Sequence, residues 1–400
     1  MTTPEISITA VTDKAGRAAF VDLGRSFAGQ TPHSVPQLRS ELLELVDPGK
    51  NPFFGHADVQ LFIAHRAGRP VGRISAHIDR LALVQPPEQG MGPGTGNFGY
   101  FDAADEQVAR ALLARAEQWL REHGMNRALG PISLSIWEEP GLLVAGHDHA
   151  PSLLMGHHPP HYQGWIEGAG YTPAKRLLTY RLPITGDFPP LIARIVQSGE
   201  RNPKIALRRA GEVDYEGDVR IILAILNDAW SDNWGFVPFT DREIAYAAKK
   251  LKPLVHPELV RIAEVEGEPV AFMLTFPDMN ELLARIDGQL FPFGWLRALR
   301  WMRRPRAKTM RVPLMGVLKK LQNSRLASQL AFMMIESIRH DATRQFGATE
   351  GEFGWILEDN KGMVAIAEAI DARISREYLI YEKALQGTPG YREPAAAISR

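Results

Sequence analysis

The sequence predicts a mixed α+β chain made of two tandem halves, each a mixed, mostly antiparallel sheet flanked by helices. Three features point there. Apolar runs of strand length alternate with segments of helical period along the whole chain. Two hairpin patterns, turning at Ala67-Gly68-Arg69 and at Glu266-Gly267-Glu268, stand at corresponding places in the halves. A helix ending near Glu167 leads into a strand ending near Tyr180, and the same order returns 201 residues later at Glu368 and Tyr381. With 400 residues, each half has enough chain for its own core. The boundary is expected at 184/185, and a Pro-, Gly- and Ala-rich mobile tail over 387–400.

In the first half, Ile6 to Val11 reads as a strand and Lys14 to Phe27 as a helix. Gln60 to His65 and Pro70 to His77 form the hairpin, and Asn97 to Phe101 the next strand. Asp102 is expected to cap the helix from Asp105 to His123, with Gly124 as its stop. Extended pieces at Leu129 to Leu134 and Gly141 to Ala145 follow. Then come a helix from Pro160 to Glu167 and a strand from Lys175 to Leu182.

The second half has helices at Phe188 to Gln197, Val219 to Trp230 and Asp241 to Leu251, then the hairpin from Leu259 to Phe276 and a short helix at Asn280 to Ile286. Met310 to Val317 is a strand interrupted by Pro313, which cannot donate to a ladder and so marks a bulge or an edge. A long helix, Ala327 to Phe346, precedes a buried strand, Phe353 to Leu357. Glu358, Asp359 and Asn360 follow at that strand's carboxyl end, where open α/β sheets place their ligands. A helix at Met363 and a strand from Ile374 to Lys383 complete the chain.

Composition narrows the functional classes. Lys+Arg and Asp+Glu balance at 46 each, so net charge does not favour a nucleic-acid partner. Without cysteine, disulfides, thiolate zinc sites and an acyl-cysteine intermediate are excluded. No metal site is expected, because no His-Glu-x-x-His spacing is present. The polar stretch Met1 to Ser7 lacks a leader pattern, which predicts a cytoplasmic protein. One segment, 290–308, stands out. Phe291, Trp295, Leu299 and Met302 share a helix side, and Arg297, Arg300 and Arg304 oppose them. Such a basic, aromatic segment suits the anionic face of an inner membrane; a packed helix with a solvated basic face is the other reading. Five of the twelve histidines lie between His147 and His161. His157 and His158 are candidates for a base or a substrate contact, and ordinary loop chemistry is the alternative.

Hairpin, bulged strand, loop, long helix, strand and helix resemble the GNAT acyltransferase order. The loop Gln322-Asn323-Ser324-Arg325-Leu326-Ala327 is similar to that family's Q-x-x-G-x-G/A pyrophosphate loop, with Arg325 in place of the first Gly. The resemblance implies acyl-CoA as co-substrate, held by Gly316, Val317, Gln322, Asn323, Ser324, Arg325, Leu326, Ala327 and Ser328. In the first half, Asp102-Ala103-Ala104-Asp105-Glu106 would repel a pyrophosphate. The first unit, 1–184, is therefore expected to be degenerate, and 185–386 to bind the donor.

More widely, Asn97-Phe98-Gly99-Tyr100-Phe101-Asp102, Pro159-Pro160-His161-Tyr162, Asn233-Trp234-Gly235-Phe236-Val237-Pro238 and Trp355 to Asn360 resemble bacterial tandem GNAT proteins that include the ceramide synthases. That resemblance implies N-acylation of a long-chain (sphingoid) amine. Tyr162, Trp230, Asn233, Trp234 and Trp295 are then expected around the substrate. Glu352, Glu358 or Asp359 would accept the proton, Asn360 beside them is a further candidate catalytic residue, and Tyr381 and Tyr162 are candidate acids for the leaving thiolate. The carboxylates equally suit helix caps or solvated loops. Aminoacyl transfer from tRNA and non-catalytic lipid binding are the competing expectations.

Overall fold

The computed structural model describes residues 5–385; the tail over 387–400 lies outside them. The first half runs β1 (Ile6–Val11), α1 (Lys14–Gln30), α2 (Arg39–Leu45), β2 (Ala57–Arg66), β3 (Arg69–Asp79), α3 (Arg80–Leu83), β4 (Thr95–Ala103), α4 (Glu106–Glu122), β5 (Arg127–Gly130), three short strands β6 (Ile132–Ser133), β7 (Glu139–Pro140) and β8 (Leu142–Ala145), then α5 (His161–Gly168) and β9 (Thr172–Pro183). The second half repeats that scheme: α6 (Pro190–Glu200), β10 (Ile205–Arg209), α7 (Tyr215–Trp230), α8 (Asp241–Leu251), β11 (Val260–Val265), β12 (Glu268–Pro277), α9 (Met279–Arg285), α10 (Gly294–Arg303), β13 (Thr309–Val317), α11 (Arg325–Asp341), β14 (Glu350–Leu357), α12 (Lys361–Ala369) and β15 (Arg373–Ala384).

Side-chain caps set the helix starts. Asp13 accepts from the Gly16 amide, Asp105 from Val108, and Ser324 from Ala327. The cap of α4 is therefore Asp105. Asp102, expected in that role, instead pairs with Arg73 at 2.7 Å on β4. Helix α8 carries a full capping box between Thr240 and Glu243. Strand β10 and helix α2 had no sequence expectation, because each is short and neither has a clean period.

One sheet spans both halves in the order β1-β2-β3-β4-β5-β15-β9-β14-β13-β12-β11-β10, with β8 also on β15. The last strands are exchanged. The second half's β15 lies between β5 and β9, and the first half's β9 lies between β15 and β14. Two registers define this centre: Tyr381 opposes Gly130, and Phe353 opposes Tyr180.

Two irregularities open the sheet in the second half. Leu274 opposes Leu314 and Phe276 opposes Arg311, so Thr275 alone faces Val312 and Pro313. Of the bulge or edge expected at Pro313, the strand shows a bulge. Strand β14 bulges in turn on β9, between Phe353 and Ile356. Parallel pairing of β13 with β14 runs from Thr309–Glu350 to Val312–Phe353 and stops. Beyond it the strands part. Gly354 permits this: its φ is +129°, and a Cβ there would lie 2.6 Å from the Leu178 carbonyl oxygen.

Candidate active site

The fork between β13 and β14 opens into a cleft. Its walls are mostly apolar. Ile335 and Ile338 of α11, Met363 and Ile366 of α12, and Phe188 before α6 supply much of them. Polar groups enter at a few points: Thr275, Glu352, Asn233, Asn360 and Arg339. An apolar cleft with a few placed polar groups suits a hydrocarbon chain attached to a reactive polar head.

The free edge of β13 is visible in its partners. The Met315 carbonyl accepts from the Trp230 indole N–H at 3.1 Å, and the Val317 carbonyl accepts from Gln322 Nε2 at 2.9 Å. Side chains take these carbonyls because no strand is paired there. Gln322 also donates to the Ala229 carbonyl at 3.1 Å, tying the loop to the end of α7.

At the start of α11, the Ser324 amide donates to the Leu321 carbonyl and the Ala327 amide to Ser324 Oγ, each at 3.1 Å. Both are therefore occupied, contrary to the expectation that amides from Ser324 onward stand open. No acceptor among the described residues meets the amides of Arg325 and Leu326. Arg325 is exposed and forms no ion pair among those residues. The open amides of Arg325 and Leu326, the helix N-terminus and the exposed Arg325 guanidinium can meet an anion. Asn323 turns the chain with φ +64°, and Ser328 is exposed on the helix. Gly316 packs on Phe272, whose ring would lie 2.8 Å from a Cβ at that position.

Glu352 is fully buried on β14. Its Oε2 accepts from Arg181 Nη2 at 2.7 Å, and its Oε1 accepts from Ser152 Oγ. Burial pushes its pKa up, but the charge of Arg311, the Ser152 hydroxyl and Arg181 outweigh it and hold the carboxyl below its usual range. A carboxylate held this way is a poor proton acceptor near neutrality. The expected base role is therefore disfavoured, and Glu352 instead locks β14 to β9 and to the loop at Ser152. The partners Ser152, Arg181 and Arg311 had no expectation, although an arginine inside the apolar run Met310 to Val317 was a readable signal.

The other expected residues divide by place. Trp230, Asn233 and Asn360 line the cleft; Asn360 also caps α12 by accepting from Met363. Glu358 and Asp359 stand beyond it, where Glu358 pairs with Arg176 at 3.4 Å and Asp359 with Lys175 at 2.5 Å. Both carboxylates are exposed, as loop charges at a strand end commonly are, while Lys175 is largely covered. His157 donates from Nε2 to the Pro32 carbonyl at 2.7 Å and takes Arg376 on Nδ1 at 3.2 Å, so neither nitrogen is free. Burial depresses its pKa to about 4, the neighbouring Arg376 adding to the effect. His158 Nδ1 accepts from the Leu143 amide.

Tyr162 and Tyr381 are core groups of the first half. The Tyr162 hydroxyl takes the Ala103 amide at 3.1 Å, and the Tyr381 hydroxyl donates to Glu167 at 3.1 Å. Strand exchange carries Tyr381 away from the fork and removes it as an acid. Trp234 packs where Gly90 leaves room, with Lys175 6.0 Å from its ring centre, and Trp295 lies on the exposed side of α10.

No family model matches the chain. Over 385 residues it is 40% identical to the bacterial ceramide synthase of Caulobacter vibrioides, covering 96% of this chain and 99% of that protein. It is 37% identical over 368 residues to the protein YghO of Escherichia coli, covering 91% and 92%. Among solved structures it resembles a tandem GNAT protein from the clavulanic acid biosynthesis pathway, with a TM-score of 0.56 over 96% of this chain and 99% of that one at 11% identity. A GCN5-related N-acetyltransferase from Sphaerobacter thermophilus gives a TM-score of 0.51 over 96% and 98% at 12% identity. The structures establish the fold and the sequence relatives establish the descent: the chain belongs to the bacterial ceramide synthase family and is an acyltransferase of the tandem GNAT fold.

Proposed function

We propose that this protein transfers a fatty acyl group from acyl-CoA to the primary amine of a long-chain, sphingoid-type base. The observation that carries the reading is the apolar cleft entered through the β13–β14 fork. Its lining of apolar side chains from β13, β14, α11 and α12 suits a hydrocarbon chain. The diphosphate of the donor is assigned to the start of α11, where the amides of Arg325 and Leu326 and the Arg325 guanidinium are open. Its extended arm then follows the free edge of β13, and the acyl tail passes between Ile338 and Met363. The amine approaches by Trp230, Asn233 and Asn360. With no cysteine available, the nitrogen attacks the thioester directly.

The protein is expected to convert palmitoyl-CoA and sphinganine to the amide, read by mass spectrometry. Ile338→Trp, which fills the cleft, should lower turnover with a long acyl chain at least tenfold and spare a short one. Absence of amide with any long-chain base would end the reading.

Substrates of this kind reside in membranes, and helix α10 supports contact there. Phe291 is 78% exposed and Trp295 44%, beside Arg297, Arg300 and Arg303, while Trp301 anchors the helix inward against Leu282 and Ile286. Exposed apolar side chains beside arginines suit an anionic bilayer surface. Vesicles containing phosphatidylglycerol should pull the protein down, and Phe291→Ser with Trp295→Ser should weaken this. Equal retention by neutral vesicles of phosphatidylcholine would count against an electrostatic contact.

A further inference from the structure

At the fork, strands β12, β13 and β14 come abreast, and one polar side chain there has an oxygen with no partner among the described residues. Thr275 stands on β12 opposite the Val312–Pro313 bulge. It is 1% exposed and lines the cleft, and its Oγ1 is buried without a hydrogen-bond partner among the described residues. A buried hydroxyl left unpaired is destabilising and uncommon in folded chains. Valine has nearly the same shape and would pack there without that penalty. The hydroxyl therefore points to a group that arrives from outside.

The backbone nearby explains what is missing. Pro313 has no N–H, so the bulge that opens the strand edge provides no amide at that residue. Glu352, abreast on β14, is committed to Arg181 and Ser152. A thioester carbonyl brought to the fork meets Thr275 as a donor with no competing acceptor among the described residues.

We propose that the Thr275 hydroxyl donates a hydrogen bond to the thioester carbonyl oxygen and holds the negative charge that develops there; this rests on the acyl-CoA reading above. The amine nitrogen forms a bond to the carbonyl carbon, and the π electrons move onto the oxygen facing Thr275. When the carbonyl re-forms, the carbon–sulfur bond breaks. The thiolate leaves with that electron pair, and the proton lost by the nitrogen balances it, giving amide and free CoA thiol. Donors placed where charge develops contribute strongly in a water-excluded cleft.

Two variants test this. Thr275→Val keeps the shape and removes the donor; Thr275→Ser keeps the donor. In steady-state assays with palmitoyl-CoA and sphinganine, Thr275→Val is expected to lose kcat by roughly 10²-fold, with KM for palmitoyl-CoA little changed. Thr275→Ser should stay within about tenfold of the parent. Infrared spectra of bound palmitoyl-CoA labelled with ¹³C at the carbonyl provide a second readout that needs no turnover. The carbonyl band should be shifted down in the parent and in Thr275→Ser, and return toward its free position in Thr275→Val. Equal bands in parent and valine variant, or equal kcat loss in both variants, overturn the assignment while leaving the function intact. Failure of the parent to bind palmitoyl-CoA overturns both.

Discussion

Glu352 shows how one buried charge can serve architecture in place of chemistry. It is 0% exposed, Arg311 is 1% exposed, and Arg181 closes the pair from the side of β9. Arg311 also donates from Nε to the Leu153 carbonyl at 3.2 Å, so the cluster ties a first-half loop to the fork. Nearby, burial raises the Asp278 carboxyl to about 7, although the amides of Asn280 and Leu153 oppose the shift. Removing the charge of Glu352 leaves buried arginine charge without its partner. Glu352→Gln is expected to cost about 3 kcal/mol of stability, read from urea denaturation. A loss confined to kcat with stability unchanged would restore the catalytic reading. Sequence placed Glu352 beside the apolar strand Phe353 to Leu357 as a candidate proton acceptor. It could not tell pairing from catalysis, since the deciding partners are distant in the chain.

At the scale of elements, α8 is held by its edges. None of its side chains is fully buried. It is fixed by its capping box and by first-half groups: His56 meets Glu243 at 3.1 Å and Asp79 at 2.8 Å, and Tyr246 donates to Glu44 at 2.9 Å. Burial alone would lower the His56 pKa, but the two carboxylates raise it from 6.5 to about 9. A pKa raised on folding contributes stability fully below the unfolded value of 6.5, and that contribution is lost as pH rises through 9. The urea midpoint of the parent should therefore exceed that of His56→Gln at pH 6, with the gap closing by pH 9.5. A gap independent of pH would show that the imidazolium contributes nothing. Helix α8 itself, Asp241 to Leu251, was legible to the residue, because Thr240 and Glu243 form a local box. Its clamp was not, as His56 and Glu243 are 187 residues apart.

Across the molecule, the exchange of β9 and β15 makes each half dependent on the other. The first half alone would leave β5 without β15, and the second alone would leave β14 without β9. Bare strand edges beside apolar faces favour aggregation. Produced separately, chains 1–184 and 185–386 are expected to be insoluble or unfolded, and co-expression should recover a complex. The intact protein should unfold in one calorimetric transition. A cooperative melt of 1–184 by itself would show that the crossing is dispensable.

Local sequence was enough for the order of elements, both hairpins, an interruption at Pro313 and a long helix after the loop at Gln322. All of these follow from local period, turn chemistry and caps, which act over a few residues. Tertiary structure decided which strand closes which half, that Tyr381 leaves the fork while Thr275 enters it, and that Glu352 is neutralised by arginines. Those outcomes depend on strand pairing and on burial between segments far apart in the chain, and no local pattern encodes either.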